Sequence, residues 1–191
     1  MAYAYTSSVS YDHHPSSGLV GALVVGGAGA FPPQGAAAPQ VPAGVDALVP
    51  LLYMIQDENA SPLLLKSMEA VGLVDSVDDP AGPAWSSDFE ETNRKHSVNG
   101  YLYCNMPPIN ATRGSTVRFV LLSLGSEGDL HGPVFEGQLA RTKAGAVATA
   151  ELMPAVTRVV DVTATGRGTW KVYCATQSHL QAGMVALLGV E

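Results

Sequence analysis

Short apolar runs, separated by turn-forming residues, dominate the chain from residue 97 onwards. In the run 116–123, Val117, Phe119 and Leu121 alternate with Arg118 and Val120, which is the period of a β-strand with one buried face. This pattern predicts strands near 101–104, 116–123, 132–137, 156–163, 169–174 and 184–190. Strands follow strands without intervening helices, so we expect an all-β fold, an antiparallel Greek-key sandwich.

The pattern before residue 97 is less regular. Apolar runs predict strands at 19–25 and 47–56, and Pro50 favours an edge position for the second because proline cannot donate to a ladder. Ser61 and Pro62 predict a helix over 62–73, with Ser61 as N-cap. Residues 74–95 are acidic and rich in turn formers, and we expect a long loop there.

Composition divides the chain into three parts. Residues 26–46 are rich in Gly, Ala and Pro, which is typical of a linker. The predicted strand at 19–25 has no hairpin partner before this linker. We therefore expect residues 1–25 to be the terminal strand of a preceding, truncated domain, and residues 47–191 to be one complete domain.

Charge and hydropathy exclude two classes of partner. The net charge is −7 and no basic run is present, so nucleic acid is excluded as the main partner. The apolar run 18–27 is too short to cross a bilayer, so we expect no transmembrane segment. The first residues lack the basic and apolar regions of a signal peptide, so we expect either an intracellular protein or an N-terminus further upstream.

Four residues form a candidate metal site. Cys174, His179 and Met184 follow one another at intervals of five, and His131 precedes the predicted strand 132–137. A Cys and two His in a plane with a weak axial Met make a type 1 (blue) copper site, so we expect one mononuclear copper at one pole of the sandwich. Taken singly, each residue is more often a core or surface residue. If Cys174 binds copper, Cys104 has no disulfide partner within the chain.

Several motifs carry a family resemblance. They are Asp88-Phe-Glu-Glu-Thr-Asn-Arg94, Ser97-Val-Asn-Gly-Tyr-Leu-Tyr103, Gly125-Ser-Glu-Gly-Asp-Leu-His131 and Cys174-Ala-Thr-Gln-Ser-His179-Leu-Gln-Ala-Gly-Met184. Together they resemble the even-numbered cupredoxin (plastocyanin-like) domains of the ceruloplasmin and hephaestin family. Tyr11-Asp-His-His and residues 17–25 resemble the end of an odd-numbered domain there. The resemblance implies a cupredoxin-like Greek-key β-sandwich.

The resemblance also implies a multicopper oxidase of the ferroxidase type. In that family a type 1 copper takes electrons from Fe(II), or here from another small reductant, and passes them to a trinuclear copper cluster. The implied copper ligands are His131, Cys174, His179 and Met184. Glu127 matches an acidic position near the family's iron site, although it is equally readily a solvated loop acid. A parent of this kind would be extracellular or at the cell surface, with further cupredoxin domains as partners.

Departures from the family limit what the chain does alone. Tyr173-Cys174-Ala175 stands where a cluster-forming domain has His-Cys-His, so we expect the trinuclear cluster only in a full-length parent. Asp12-His13-His14 replaces a His-x-His pair, so His13 and His14 are either ligands or an inert polar turn. Ser178 replaces an iron-binding Asp. Two alternatives remain: a stand-alone cupredoxin electron carrier and a copper-free structural domain.

Overall fold

The computed structural model describes residues 1–11, 13–32, 40–74, 86–125 and 130–191. In chain order the strands are β1 (Ala2–Thr6), β2 (Val20–Val24), β3 (Ala47–Asp57), β4 (Arg94–Val98), β5 (Ile109–Ala111), β6 (Thr116–Ser123), β7 (Pro133–Phe135), β8 (Ala140–Thr142), β9 (Gly145–Val147), β10 (Thr157–Thr163), β11 (Gly168–Cys174) and β12 (Val185–Val190). The helices are α1 (Leu64–Ala70), α2 (Ser87–Thr92) and α3 (Gln177–Gln181), with short 3₁₀ turns at Pro15–Ser17 and Glu58–Ala60. None of these helices has the length and apolarity that crossing a membrane requires.

Two sheets pack face to face and form the sandwich. One has six strands in the order β4-β3-β6-β10-β8-β9, and the other has four in the order β5-β12-β11-β7. Alternate residues of each sheet fill the space between them, and the rings of Phe119 and Phe135 meet across it with centroids 4.6 Å apart. The all-β sandwich predicted from the sequence is confirmed.

The sandwich is mixed rather than antiparallel, which corrects the sequence prediction. β3 runs parallel to β6, and β12 runs parallel to β5. Long connections separate the two strands of each pair along the chain, so no hairpin forces them to run in opposite directions.

The predicted strands at 116–123, 156–163, 169–174 and 184–190 correspond to β6, β10, β11 and β12, and the run 132–137 contains β7. The strand predicted at 101–104 is wrong. Tyr101 makes one isolated bridge to Val98, and Tyr103 and Cys104 have φ values of 52° and 62°, in the left-handed region. β4, β5, β8 and β9 were not predicted; most have three residues, too few for a period to be visible.

The predicted helix over 62–73 and the predicted loop over 74–95 also need correction. The helix expected over 62–73 is shorter, and Ser61 accepts a hydrogen bond from the N–H of Leu63 without capping α1. Part of the predicted loop 74–95 is helix α2, which Ser86 caps through a hydrogen bond from the N–H of Phe89 at 3.2 Å. Residues 75–85 of that loop lie outside the described residues.

β3 is not an edge strand, because it lies between β4 and β6. β4 pairs with β3 only from Tyr53 onwards, so Pro50 has no strand on that side. The side chain of Asn99 takes the place of a strand there: its Oδ1 accepts from the N–H of Leu52 at 2.7 Å, and its Nδ2 donates to the carbonyl of Pro50 at 3.0 Å. A proline is tolerated in β3 because the ladder ends beside it.

β1 and β2 form an antiparallel hairpin, so the strand predicted at 19–25 does have a partner. The hairpin contacts β6 and β10 of the six-stranded sheet. Val120 and Leu122 alternate with the core residues of β6 and therefore face away from the sandwich interior, yet both are buried. The hairpin thus forms a third layer on the outer face of that sheet.

Candidate metal centre

Cys174 and His179 belong to one short segment of the chain, in which helix α3 turns the backbone back towards the end of β11. Cys174 ends β11, and its N–H donates to the carbonyl of Met184 at 3.1 Å. His179 lies in α3, and its carbonyl accepts from the N–H of Met184 at 2.9 Å. Gly183, with φ of 107°, turns the chain from the helix into β12. The stretch between β11 and β12 therefore contains a short helix and returns directly to Cys174.

His131 reaches the same place from the opposite side. It exchanges two backbone hydrogen bonds with Leu152, at 2.9 and 2.8 Å. Two residues later β7 begins, and its Pro133 lies opposite Cys174 in the ladder with β11. The pairing of β7 with β11 therefore brings His131 next to the thiol.

Three donor atoms converge in the sandwich interior. The Nδ1 atoms of His131 and His179 lie 3.9 and 3.6 Å from Sγ of Cys174, and all three atoms lie within 4.8 Å of one another. The residues are 2%, 4% and 0% exposed, respectively. Metal–sulfur and metal–nitrogen bonds near 2.3 and 2.0 Å in a trigonal plane would separate sulfur and nitrogen by about 3.7 Å. The spacing and the donor types therefore fit a trigonal His₂Cys site.

Met184 is fully buried in the same core cluster as Cys174. The backbone of Met184 is hydrogen-bonded to both Cys174 and His179, so its Cα lies beside the three-donor group. Met184 therefore stays the predicted weak axial donor of such a site.

Burial keeps His131 in its neutral form. Together with the neighbouring His179 and His96, it lowers the pKa of His131 to about 4. His131 is therefore neutral at pH 7, the form that a metal ion requires. The phenol of Tyr53 is fully buried, with its ring centroid 6.2 Å from that of His131. Burial raises the pKa of Tyr53, and Cys174 raises it further, so the phenol stays neutral.

Two residues at the site were missed in the sequence. Gly132 donates its N–H to Sγ of Cys174 at 3.4 Å, which gives the sulfur a backbone donor of the kind expected in such sites. His96, half-buried on β4, has its ring centroid 5.1 Å from that of His179. Ser97 and Val98 are buried beside it, and recognising β4 would have placed His96 at the same pole.

The remaining predicted residues lie elsewhere. Glu127 lies outside the described residues. His13 contacts the carbonyl of Ala60 through Nδ1 at 2.7 Å, and His14 contacts Oγ of Ser7 through Nδ1 at 2.7 Å. Neither belongs to the three-donor group found among the described residues. Cys104 is half-buried and, like Cys174, a free thiol.

Comparison with known sequences gives consistent relatives. No protein-family model matches the chain. It is 34% identical over 193 residues to hephaestin of Rattus norvegicus and 33% identical over 193 residues to hephaestin of Homo sapiens, with 100% of the chain aligned. It is 28% identical over 187 residues to ceruloplasmin of Rattus norvegicus, with 97% of the chain aligned. The chain spans only 16% of the length of the two hephaestins and 17% of that of the ceruloplasmin.

Solved structures support the fold. A copper nitrite reductase from Nitrosomonas europaea superposes with a TM-score of 0.65 at 15% identity, covering 100% of this chain and 62% of that one. A multicopper oxidase superposes with a TM-score of 0.65 at 13% identity, covering 100% and 56%. With the whole-chain similarity to hephaestin and ceruloplasmin, these findings identify the chain as a cupredoxin domain of the ceruloplasmin and hephaestin family.

Proposed function

We propose that this domain binds one type 1 copper ion through His131, Cys174, His179 and Met184 and transfers single electrons within a multicopper ferroxidase. The observation that supports the proposal is the convergence of two imidazole Nδ1 atoms and one thiol within 4.8 Å in the buried interior. A soft thiolate with two imidazoles and a thioether is the donor set of blue copper.

The protein contributes position, protonation state and exclusion of water. When bound, copper supplies one-electron exchange between its two oxidation states. The neutral imidazole of His131 and the thiolate of Cys174 suit both states, because each is held by strands or by backbone hydrogen bonds that need not change with the charge. The N–H of Gly132 withdraws charge from the sulfur and so raises the reduction potential.

The experiment that tests copper binding is an absorption titration with Cu(II). The two cysteines provide a matched pair of variants, Cys174→Ser and Cys104→Ser. We expect an intense blue band at one copper per chain in the unmodified protein and in Cys104→Ser, and its loss in Cys174→Ser. A copper-free structural domain would give no band in any of the three proteins, and that result would overturn the proposal.

We further propose Fe(II) as the reductant and a trinuclear cluster in other domains of a longer parent as the acceptor. The support is the similarity to hephaestin and ceruloplasmin, and we propose Glu127 as the iron-side acid. Rapid mixing of the copper-loaded domain with Fe(II) in the absence of oxygen should bleach the blue band, more slowly in Glu127→Gln. A stand-alone electron carrier would bleach equally in both proteins.

We also propose that residues 1–25 are the terminal part of a preceding cupredoxin domain and that residues 26–46 are the linker to residues 47–191. The hairpin is apolar on both faces: one covers Val120 and Leu122, and the other exposes Tyr3, Tyr5 and Leu23. Apolar residues on both faces are typical of strands that are buried on both faces. Tyr5→Lys should leave the 191-residue chain equally stable and destabilise a longer parent; equal effects would contradict the assignment.

The compartment follows from the same proposal. A parent of the hephaestin and ceruloplasmin type would place this domain outside the cell or at its surface. Asn110, which begins an Asn-Ala-Thr sequon, is exposed on β5 and would then be accessible to glycosylation. Enzymatic deglycosylation of the protein from its native source would detect a sugar as a loss of mass.

A further inference from the structure

Residues 101–104 lie against the chain on both sides of Met184. The N–H of Tyr103 donates to the carbonyl of Gly183 at 2.8 Å, and the N–H of Cys104 donates to the carbonyl of Val185 at 3.1 Å. The contact at Gly183 is close: a Cβ built there would lie 3.0 Å from the ring of Tyr103. The residues immediately before and after Met184 are therefore both held by this segment.

The backbone of Tyr103 and Cys104 is unusual. Consecutive N–H groups of an extended strand point in opposite directions, so they cannot both reach the same neighbouring strand. Here both N–H groups reach the chain around Met184, and the two residues have φ values of 52° and 62°. Left-handed conformations are strained for residues other than glycine, and they persist where the surroundings fix them.

The ligand loop fixes Met184 from its other side. The N–H of Met184 donates to the carbonyl of His179, and its own carbonyl accepts from the N–H of Cys174. Met184 thus stands between the ligand loop and residues 103–104. Its backbone is therefore held from both sides, and its side chain is fully buried.

The axial donor is the one that the protein must position. The bonds of copper to thiolate and imidazole are strong and define their own lengths, whereas the axial thioether bond is long and weak and also tunes the potential. We propose, given the type 1 copper site above, that Tyr103 and Cys104 are positioning residues that hold the thioether of Met184 toward the copper. Their contact with Gly183 and Val185 then lowers the reduction potential of the copper site relative to a site without this contact.

The test loosens this contact without removing a donor atom. Tyr103→Ala removes the ring that covers Gly183 and keeps both amides, and Cys104→Gly relaxes the left-handed backbone. Ala155→Gly is the matched control, because Ala155 also has a positive φ, of 63°, and is exposed at another loop. We expect the blue band to remain in all three copper-loaded proteins. The potential should rise in the first two and stay unchanged in the control.

A background without the axial donor separates positioning from general disturbance. In Met184→Leu, the potential should be higher from the start, and Tyr103→Ala should no longer change it. An unchanged or lowered potential in Tyr103→Ala, or the same shift in the Met184→Leu background, would overturn the inference. Absence of a blue band in the unmodified chain would instead overturn the copper site itself.

Discussion

The backbone N–H of Gly132 lies 3.4 Å from Sγ of Cys174 and points at it as a hydrogen-bond donor. Gly132 follows His131 directly, and its carbonyl accepts from the N–H of Ala175 at 2.8 Å. One residue therefore connects the segment that carries His131 to the segment that carries the thiol. The geometry of the three donors depends on how closely these two segments approach.

Substitution of Gly132 should disturb this approach. A Cβ at this position would lie 3.0 Å from Cγ2 of Thr149 and 3.2 Å from Cβ of Ala175, so the segments must separate slightly. We expect Gly132→Ala to destabilise the copper-free protein by about 1–2 kcal/mol in urea unfolding, as overpacking does. It should also lower the potential of the copper-loaded protein, because the sulfur loses part of its hydrogen bond.

Thr149→Ser provides the matched relief variant, since it removes only the methyl group that the new Cβ would meet. The double variant should recover most of the lost stability and part of the potential. If Thr149→Ser rescues neither quantity, the contact with Thr149 is not the cause of the effect.

The depressed pKa of His131 predicts how the stability of the copper-free protein depends on pH. The folded value is about 4 against an ordinary value of 6.5, so between these values the unfolded chain binds a proton that the folded chain does not. Stability therefore falls as the pH falls from 6.5 towards 4, and this residue accounts for about 2 kcal/mol between pH 7 and pH 5. Urea unfolding at both values measures the change.

His131→Gln is the control for that dependence, because glutamine has no proton to exchange in this range. In this variant, the difference in the free energy of unfolding between pH 7 and pH 5 should be smaller by about 2 kcal/mol. An unchanged difference would mean that other groups cause the loss of stability in acid.

The long strands could be predicted from the sequence because alternation over six or more residues is a strong signal. β6 follows directly from it, whereas β12 was recognisable as a continuous apolar run. The pairing of β3 with β6 could not be predicted in this way, since parallel neighbours far apart in the chain leave no local pattern. Nor could the hairpin of β1 and β2, whose strands are separated by a long polar turn.

The candidate site was visible in the sequence for a different reason. Cys174, His179 and Met184 lie within one short segment of the chain, so their spacing is a local property of the sequence. His96 comes from another strand of the other sheet, and only the tertiary structure brings its ring to His179. The hydrogen bond from Gly132 could not be predicted either, because a backbone donor leaves no pattern in the amino-acid sequence.

Asn99 gives a test of how β3 tolerates Pro50. Its side chain makes two hydrogen bonds to β3, and its own φ is 53°. We expect Asn99→Ala to cost about 2 kcal/mol, from the lost hydrogen bonds and the left-handed backbone together. Asn99→Gly loses the same bonds but adopts the conformation without strain, so it should cost about 1 kcal/mol. Urea unfolding that gives equal losses would show that the backbone conformation contributes nothing.

The phenol of Tyr53 predicts a stabilising substitution. Its side chain is fully buried, and its hydroxyl has no hydrogen-bond partner among the described residues. Because a buried polar group without a partner is destabilising, Tyr53→Phe should raise the free energy of unfolding by about 1 kcal/mol. Ser123, its neighbour in the ladder between β3 and β6, also has a buried hydroxyl without a described partner. Ser123→Ala should therefore act in the same direction.

Tyr53→Leu separates the ring from the hydroxyl. The substitution removes both groups and leaves a cavity between the sheets. The cavity should cost more stability than removal of the unpaired hydroxyl gains, so this variant should be less stable than the unmodified protein. Urea unfolding of the copper-free proteins measures all three substitutions. Tyr53→Phe keeps the ring that packs near His131, so the blue band should keep its position in this variant. A loss of stability in Tyr53→Phe would mean that the hydroxyl is hydrogen-bonded in solution and supports the fold.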